Sequence, residues 1–182
     1  MTVAQLLDEL HGMDACTEAR AWVEENGIAS IEEAWTKCPR GEWLAWLLAS
    51  IHEEWAQIAR TFIERAYFPH LDDNSRATAE TKLEAVYVGD DQDLYHHPFL
   101  PAAFNRTLRA IYAYRRSVHE GSRDHADSLV RWLWHERRMA GEPLSDGGSA
   151  AVLFRSLVST EEVVARWNRY PHVSHPSEED AP

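Results

Sequence analysis

The sequence is poor in several features that mark common protein classes. Its 182 residues include two cysteines, and no apolar run reaches the roughly 18 residues that a membrane-spanning helix needs. The first residues, MTVAQLLDELHG, lack the basic segment and apolar stretch of a secretory signal. We therefore expect a cytoplasmic protein with reduced thiols and no membrane association.

Patterns that accompany catalysis are also missing. The chain has no glycine-rich phosphate loop, no nucleophile-elbow pattern, and no Glu-x-x-His pairs of the kind that build a di-iron bundle. Of the ten histidines, His96 and His97, beside Asp90, Asp91 and Asp93, are the best metal-ligand candidates, but their segment lacks the glycine and glutamate of a calcium-binding EF-hand loop. We expect no cofactor and no enzymatic activity. A metal-dependent enzyme that uses this Asp/His loop is the alternative.

Negative charge dominates the chain and is unevenly distributed. The net charge is −12, with 19 acidic and 7 basic side chains in residues 1–100, against 8 acidic and 11 basic in residues 101–170. A negative body repels nucleic acid and attracts basic protein surfaces. We expect the arginines to pair with the acidic half, and therefore expect no direct nucleic-acid binding. Solubility alone is the other explanation of the charge.

Apolar residues recur at helical spacing along most of the chain. For example, Ile31, Ala34 and Trp35 fall at i, i+3 and i+4, and no segment alternates in the manner of a strand. The pattern predicts an all-α fold, an irregular and partly orthogonal bundle of about seven to nine helices. We expect one helical domain over residues 1–170, with an acidic half and an arginine-rich half. The proline-rich, acidic segment 171–182 is expected to be a disordered tail.

The stretch EEAWTKCPRGEWLAWLL, residues 32–48, concentrates three of the eight tryptophans beside a cysteine. Trp35 and Cys38 share one helical face, and Cys16 and Trp22 are expected to face the same interior from the preceding helix. A small thiol beside aromatic rings is ordinary core packing. We therefore predict that both cysteines are buried; a redox or nucleophilic role is the alternative.

The same region resembles a helical module of uncharacterised bacterial and phage proteins. The residues that carry the resemblance are ACTEARAW, residues 15–22, followed by the Ala-Trp, Cys, Gly, acidic, Trp and Trp-Leu positions of the stretch above. Related helical modules are described as immunity proteins. The resemblance covers about the first third of the chain, consists of packing residues, and implies a helical fold without catalytic residues.

These observations favour a non-enzymatic acidic binding protein, an inhibitor or immunity-type protein of bacterial or phage origin with an anti-defence or anti-toxin role. Its expected partner is a protein with a basic, nucleic-acid-binding surface, such as a nuclease, toxin or defence effector. A structural or assembly subunit that forms a homo-oligomer is a further alternative. The residues expected to contact the partner are Asp90, Asp91, Asp93, Tyr95 and Phe99 in one loop, and Glu24, Glu25, Glu32 and Glu33 in a second acidic patch.

Overall fold

A computed structural model describes residues 1–87, 101–119, 123, 125–131 and 148–171. The regular secondary structure in these ranges is helical and includes no strand, so the protein is all-α, as the periodicity predicted. The described ranges hold ten α-helices, slightly more than the seven to nine expected. The helices are α1 (Val3–Gly12), α2 (Thr17–Glu25), α3 (Ile31–Lys37), α4 (Gly41–Ile51), α5 (Trp55–Ala66), α6 (Asp73–Tyr87), α7 (Ala102–His119), α8 (described over 125–131), α9 (Gly148–Leu157) and α10 (Thr160–Trp167), with a 3-10 turn at Phe68–His70.

The chain divides into two compact units. Unit 1 comprises Met1–Cys38 together with the residues from Ser159 onward, and unit 2 comprises Pro39–Val158. These boundaries differ from the charge boundary near residue 100, and the single domain over residues 1–170 stays a prediction. Within the described ranges, no helix has both the length and the apolar character that crossing a bilayer requires. The tail beyond Pro171 lies outside the described residues.

Unit 1 is built from helices whose starts are encoded locally. Thr2 begins α1 with a reciprocal capping box, in which its hydroxyl accepts from the Gln5 amide and the Gln5 side chain accepts from the Thr2 amide. The Ser30 hydroxyl accepts from the Glu33 amide at 3.1 Å and starts α3. Ser159 caps α10 in the same way. Each such cap contributes about 1 kcal/mol by satisfying amides that the first turn of a helix leaves unpaired.

Two tryptophans form the centre of unit 1. Trp35 on α3 and Trp167 on α10 are 1% and 2% exposed, and these two helices pack against each other. Burying one indole gives about 5 kcal/mol of gross apolar transfer. The Trp167 indole N–H donates to a Glu9 carboxylate oxygen at 3.1 Å, which ties α10 to α1 and satisfies a donor that would otherwise be buried unpaired.

Unit 2 is organised around α5, which packs against α7 and α9. Phe62 of α5 stacks on Phe154 of α9 with ring centroids 4.3 Å apart, and the Trp55 ring lies 6.5 Å from the same phenylalanine. The Trp55 indole N–H donates to the Ser117 hydroxyl of α7 at 3.1 Å. This hydroxyl donates in turn to the Tyr114 carbonyl, so the indole N–H and the hydroxyl are both hydrogen-bonded.

The start of α4 lies directly against α9. An added Cβ at Gly41 would stand 2.6 Å from the Ala150 Cβ, which is closer than real Cβ atoms approach, and 3.0 Å from the Ala151 amide nitrogen, which is a tight contact. The absence of a side chain at Gly41 therefore allows the two helices to touch.

The prediction that both cysteines face the interior is wrong for Cys16. Cys38 is buried at 3% exposure, whereas Cys16 is exposed. The reason is local. As a residue type that caps helices, Asp14 predicts a start of α2 at Ala15. Asp14 instead takes φ 62° in a turn, α2 begins two residues later at Thr17, and Cys16 becomes the residue that precedes the helix. Trp22, expected to point inward from α2, is half-buried.

Ser50 and Glu53 have the spacing of a capping box, which predicts a helix break at Ser50. The break lies instead between Ile51, the last residue of α4, and Trp55, the first residue of α5. The Ser50 hydroxyl donates to the Trp46 carbonyl at 2.8 Å, so this serine bonds back within α4 and begins no helix. The chain leaves the helix at His52, whose Nδ1 accepts from the Glu54 amide at 3.2 Å.

Candidate functional site

Unit 1 carries most of the uncompensated negative charge in the described structure. Its described residues include ten acidic and four basic side chains, a net charge of −6, whereas those of unit 2 include nine acidic and twelve basic, a net charge of +3. Except for Asp14, which lies in the turn between α1 and α2, the acidic residues of unit 1 lie on helices that also contribute to its core. The charge imbalance is therefore a property of one folded unit and its surface.

Glu24 and Glu25 occupy the last turn of α2, and both are exposed. The carboxyl end of a helix carries a partial negative charge, so carboxylates are unfavourable there and cations are favoured. The last turn of α2 contains no basic residue. Neither carboxylate makes a hydrogen bond or ion pair with a described residue. Local helix stability does not account for this pair of acids.

Glu32 and Glu33 occupy the first turn of α3, where the helix dipole favours carboxylates. Glu32 is exposed and makes no ion pair among the described residues, whereas Glu33 is half-buried. One Glu33 oxygen accepts from the Ala29 amide at 3.0 Å, and the other accepts from the Lys37 ammonium at 3.1 Å. The Ala29 hydrogen bond and then the Lys37 charge lower the pKa of Glu33 below its ordinary value. Glu33 therefore holds the start of α3 in place.

A groove of about 350 Å³ lies between α1 and α2, with Glu24 in its lining. Both charge signs line it: α1 contributes Asp8 and His11, and α2 contributes Arg20 and Glu24. One Arg20 terminal nitrogen lies 2.9 Å from His11 Nδ1. Because a guanidinium has donors and no acceptor, His11 accepts at Nδ1 in this pair. The lining residues are Leu7, Asp8, His11, Thr17, Arg20, Ala21 and Glu24.

Sequence reasoning identified Glu24 but missed the other polar residues of the groove. A signal was present on α2, where Thr17, Arg20, Ala21 and Glu24 fall at i, i+3, i+4 and i+7 and share one helical face. The α1 contribution could not be predicted, because the pairing of α1 with α2 depends on tertiary packing.

The other predicted contact loop lies outside the described residues. It contains the acidic and aromatic candidates for partner contact and the two histidines that are candidate metal ligands. The residues concerned are Asp90, Asp91, Asp93, Tyr95, His96, His97 and Phe99.

No family model, curated protein or solved structure matches this chain. The resemblance of the first third to bacterial and phage helical modules therefore stays a prediction.

Proposed function

We propose that this chain is a non-enzymatic binding protein that uses the acidic surface of unit 1 to cover a basic surface of another protein. The partner would be a nuclease, toxin or defence effector whose basic surface binds nucleic acid. The chain would act in the cytoplasm as an inhibitor or immunity-type protein of bacterial or phage origin.

The observation that carries this proposal is the excess of exposed carboxylates on unit 1. Glu24, Glu25 and Glu32 project from it without a described cation as partner, and two of them lie at a helix end where they are locally unfavourable. A basic partner would supply the missing positive charge. Charges of this kind act mainly on the association rate and on partner choice, and salt screens them over about 10 Å at 0.1 M.

The test begins with affinity purification of the full chain from its native host, followed by mass spectrometry and binding measurements with the purified partner. The probe variant is Glu25→Gln/Glu32→Gln, which removes two exposed charges outside the groove. The control is Asp73→Asn/Glu80→Gln, which removes two exposed charges from unit 2. Exposed ion pairs contribute about 0.2–1 kcal/mol each, so the probe variant should weaken binding roughly 2-fold to 30-fold at low salt.

The salt dependence separates this proposal from a generic contact. The difference between probe variant and wild type should shrink toward zero at 0.5 M NaCl, and the control variant should bind like the wild type. An affinity that is indifferent to salt, or an equal loss in the control variant, would count against the acidic surface as the contact.

The opposite net charges of the two units support a second candidate, a structural subunit that self-associates. Unit 1 of one copy, at −6, would contact unit 2 of another, at +3. Light scattering coupled to size-exclusion chromatography should then give a mass above the 20.9 kDa monomer at 20 mM NaCl and monomer at 0.5 M. A monomer at both salt concentrations excludes this candidate.

A further inference from the structure

Arg20 is a partly buried cation in the α1–α2 groove that lacks an anionic partner. Its side chain makes no ion pair among the described residues, and its Nε atom is buried without a hydrogen-bond acceptor. One of its terminal nitrogens donates to an imidazole nitrogen, His11 Nδ1, at 2.9 Å, and a ring nitrogen is not an anion. Removing a guanidinium from water is costly unless a carboxylate or a similar anion compensates it. This end of the groove is therefore suited to an incoming anionic group.

The start of α2 adds donors at the same end of the groove. Thr17, which lines the groove, is the first residue of the helix, and Cys16 before it provides no side-chain cap. The first amides of a helix have no acceptor within the helix, and the helix dipole favours negative charge beside them. A carboxylate held by Arg20 would lie within one helical turn of these amides.

Two carboxylates line the same groove and restrict what can enter it. Asp8 reaches it from α1 and Glu24 from α2, and neither makes an ion pair with a described residue. They repel a ligand that carries only negative charge, as does the net charge of −6 on unit 1. The same two carboxylates attract an ammonium. A ligand that pairs both with Arg20 and with the two carboxylates carries one carboxylate and one ammonium and has no net charge.

We propose that the α1–α2 groove is a binding site for a small zwitterion of the α-amino-acid class. Arg20 and Thr17 bind its carboxylate, Asp8 and Glu24 bind its ammonium, and the apolar side chains of Leu7 and Ala21 contact its aliphatic part. The groove volume of about 350 Å³ lies at the small end of the range for small-molecule sites, roughly 300–1,000 Å³. This site shares Glu24 with the acidic surface proposed above, whereas Glu25 and Glu32 of that surface lie outside the groove.

The purified full chain is titrated separately with glycine, L-leucine and L-glutamine, and binding is measured by calorimetry and by changes in amide chemical shifts. At least one of the three should bind saturably, with shifts concentrated on α1 and α2. Two analogues of leucine each lack one charge: 3-methylbutylamine has no carboxylate, and N-acetyl-L-leucine has no ammonium. If leucine is a ligand, both analogues should bind at least tenfold more weakly than leucine. If glycine or glutamine is the ligand, the corresponding amine and N-acetyl derivatives of that amino acid are the controls.

Variants locate the site and control for folding. Arg20→Met should weaken binding at least tenfold, and Asp8→Asn, at an exposed position, should weaken it severalfold. Arg169→Met removes an exposed arginine of unit 1 outside the groove and should leave binding unchanged. Circular dichroism establishes that each variant is folded. If Arg20→Met fails to fold, Asp8→Asn and the two singly charged analogues still test whether the groove binds the amino acid.

Three results would overturn the proposal. These are no saturable binding of any of the three amino acids at 20 mM, equal binding of the singly charged analogues, and wild-type binding by folded Arg20→Met or Asp8→Asn. The partner experiment uses Glu25 and Glu32 and leaves the groove intact. Failure of the amino-acid site and failure of the acidic partner surface are therefore separate outcomes.

Discussion

Replacing Gly41 by alanine tests the close approach of α4 and α9 on which unit 2 depends. The new Cβ would lie 2.6 Å from the Ala150 Cβ and 3.0 Å from the Ala151 amide nitrogen. Both neighbours are backbone atoms or directly attached to backbone, so no flexible side chain can move aside. The two helices must separate by several tenths of an ångström, which loosens the packing of α9 along its length.

The expected cost follows from overpacking. Forcing an extra methyl group into a closely packed interior costs about 1–3 kcal/mol. Alanine is the better helix former by up to about 1 kcal/mol in a helix interior, but Gly41 is the first residue of α4, where this gain is smaller. We expect a net loss of about 1–2 kcal/mol. For a chain of this size that lowers the thermal midpoint by roughly 2–8 °C.

The assay is thermal and urea unfolding of four proteins in a double-mutant cycle: wild type, Gly41→Ala, Ala150→Gly and the double variant. Ala150→Gly removes the atom at 2.6 Å, so the two changes should couple by at least about 0.5 kcal/mol, with partial rescue because the Ala151 contact persists. Gly27→Ala is the control. Gly27 has φ +61° and no atom within 4 Å of an added Cβ, so that variant should lose stability through backbone strain that Ala150→Gly does not relieve. A Gly41→Ala protein as stable as wild type, or zero coupling, would refute the proposed contact.

Three further predictions concern single residues. Ser117→Ala should lower the free energy of unfolding by about 1–3 kcal/mol in urea, because it leaves the buried Trp55 indole N–H without an acceptor; an unchanged value would contradict that bond. Glu33→Gln should be less stable than wild type at neutral pH, with the gap narrowing as pH falls toward 3. The pKa of Glu33 is lowered in the folded protein, so the ionised side chain stabilises the fold at pH values above the ordinary carboxyl range. This stabilisation is lost as pH falls through the folded pKa. A difference in stability between Glu33→Gln and wild type that does not change with pH would argue against this. Ellman's reagent should modify Cys16 rapidly in the native protein and Cys38 only after unfolding, and equal rates would contradict their different burial.

Much of the helical architecture follows from local signals. Ser30 followed by Glu33, and Ser159 followed by Glu161 and Glu162, are patterns that predict helix starts, and the structure places both serines as helix caps. The buried position of Trp35 also follows from its place on the apolar face of α3. These predictions depend on side-chain chemistry within one or two turns, and tertiary packing left them unchanged.

The errors occurred where two local interpretations were both available. Ser50 can cap a helix or bond back to the preceding turn, and the strongly apolar α4 kept it inside the helix. Asp14 has the side chain of a helix cap but adopts a left-handed turn, which moves Cys16 to the exposed end of α2. An offset of two residues at a helix start changes which side chains face the core.

The amino-acid sequence alone predicts an all-α protein in which Trp35 is buried and acidic side chains outnumber basic ones. These properties depend on residue type and on spacing within single helices. Tertiary packing brings residues near both ends of the described chain into one unit, where the Trp167 indole N–H donates a hydrogen bond to Glu9. It also brings Arg20 and Asp8 into one groove. Contacts between separate helices depend on how their faces pack, and the spacing of residues within each helix does not specify that.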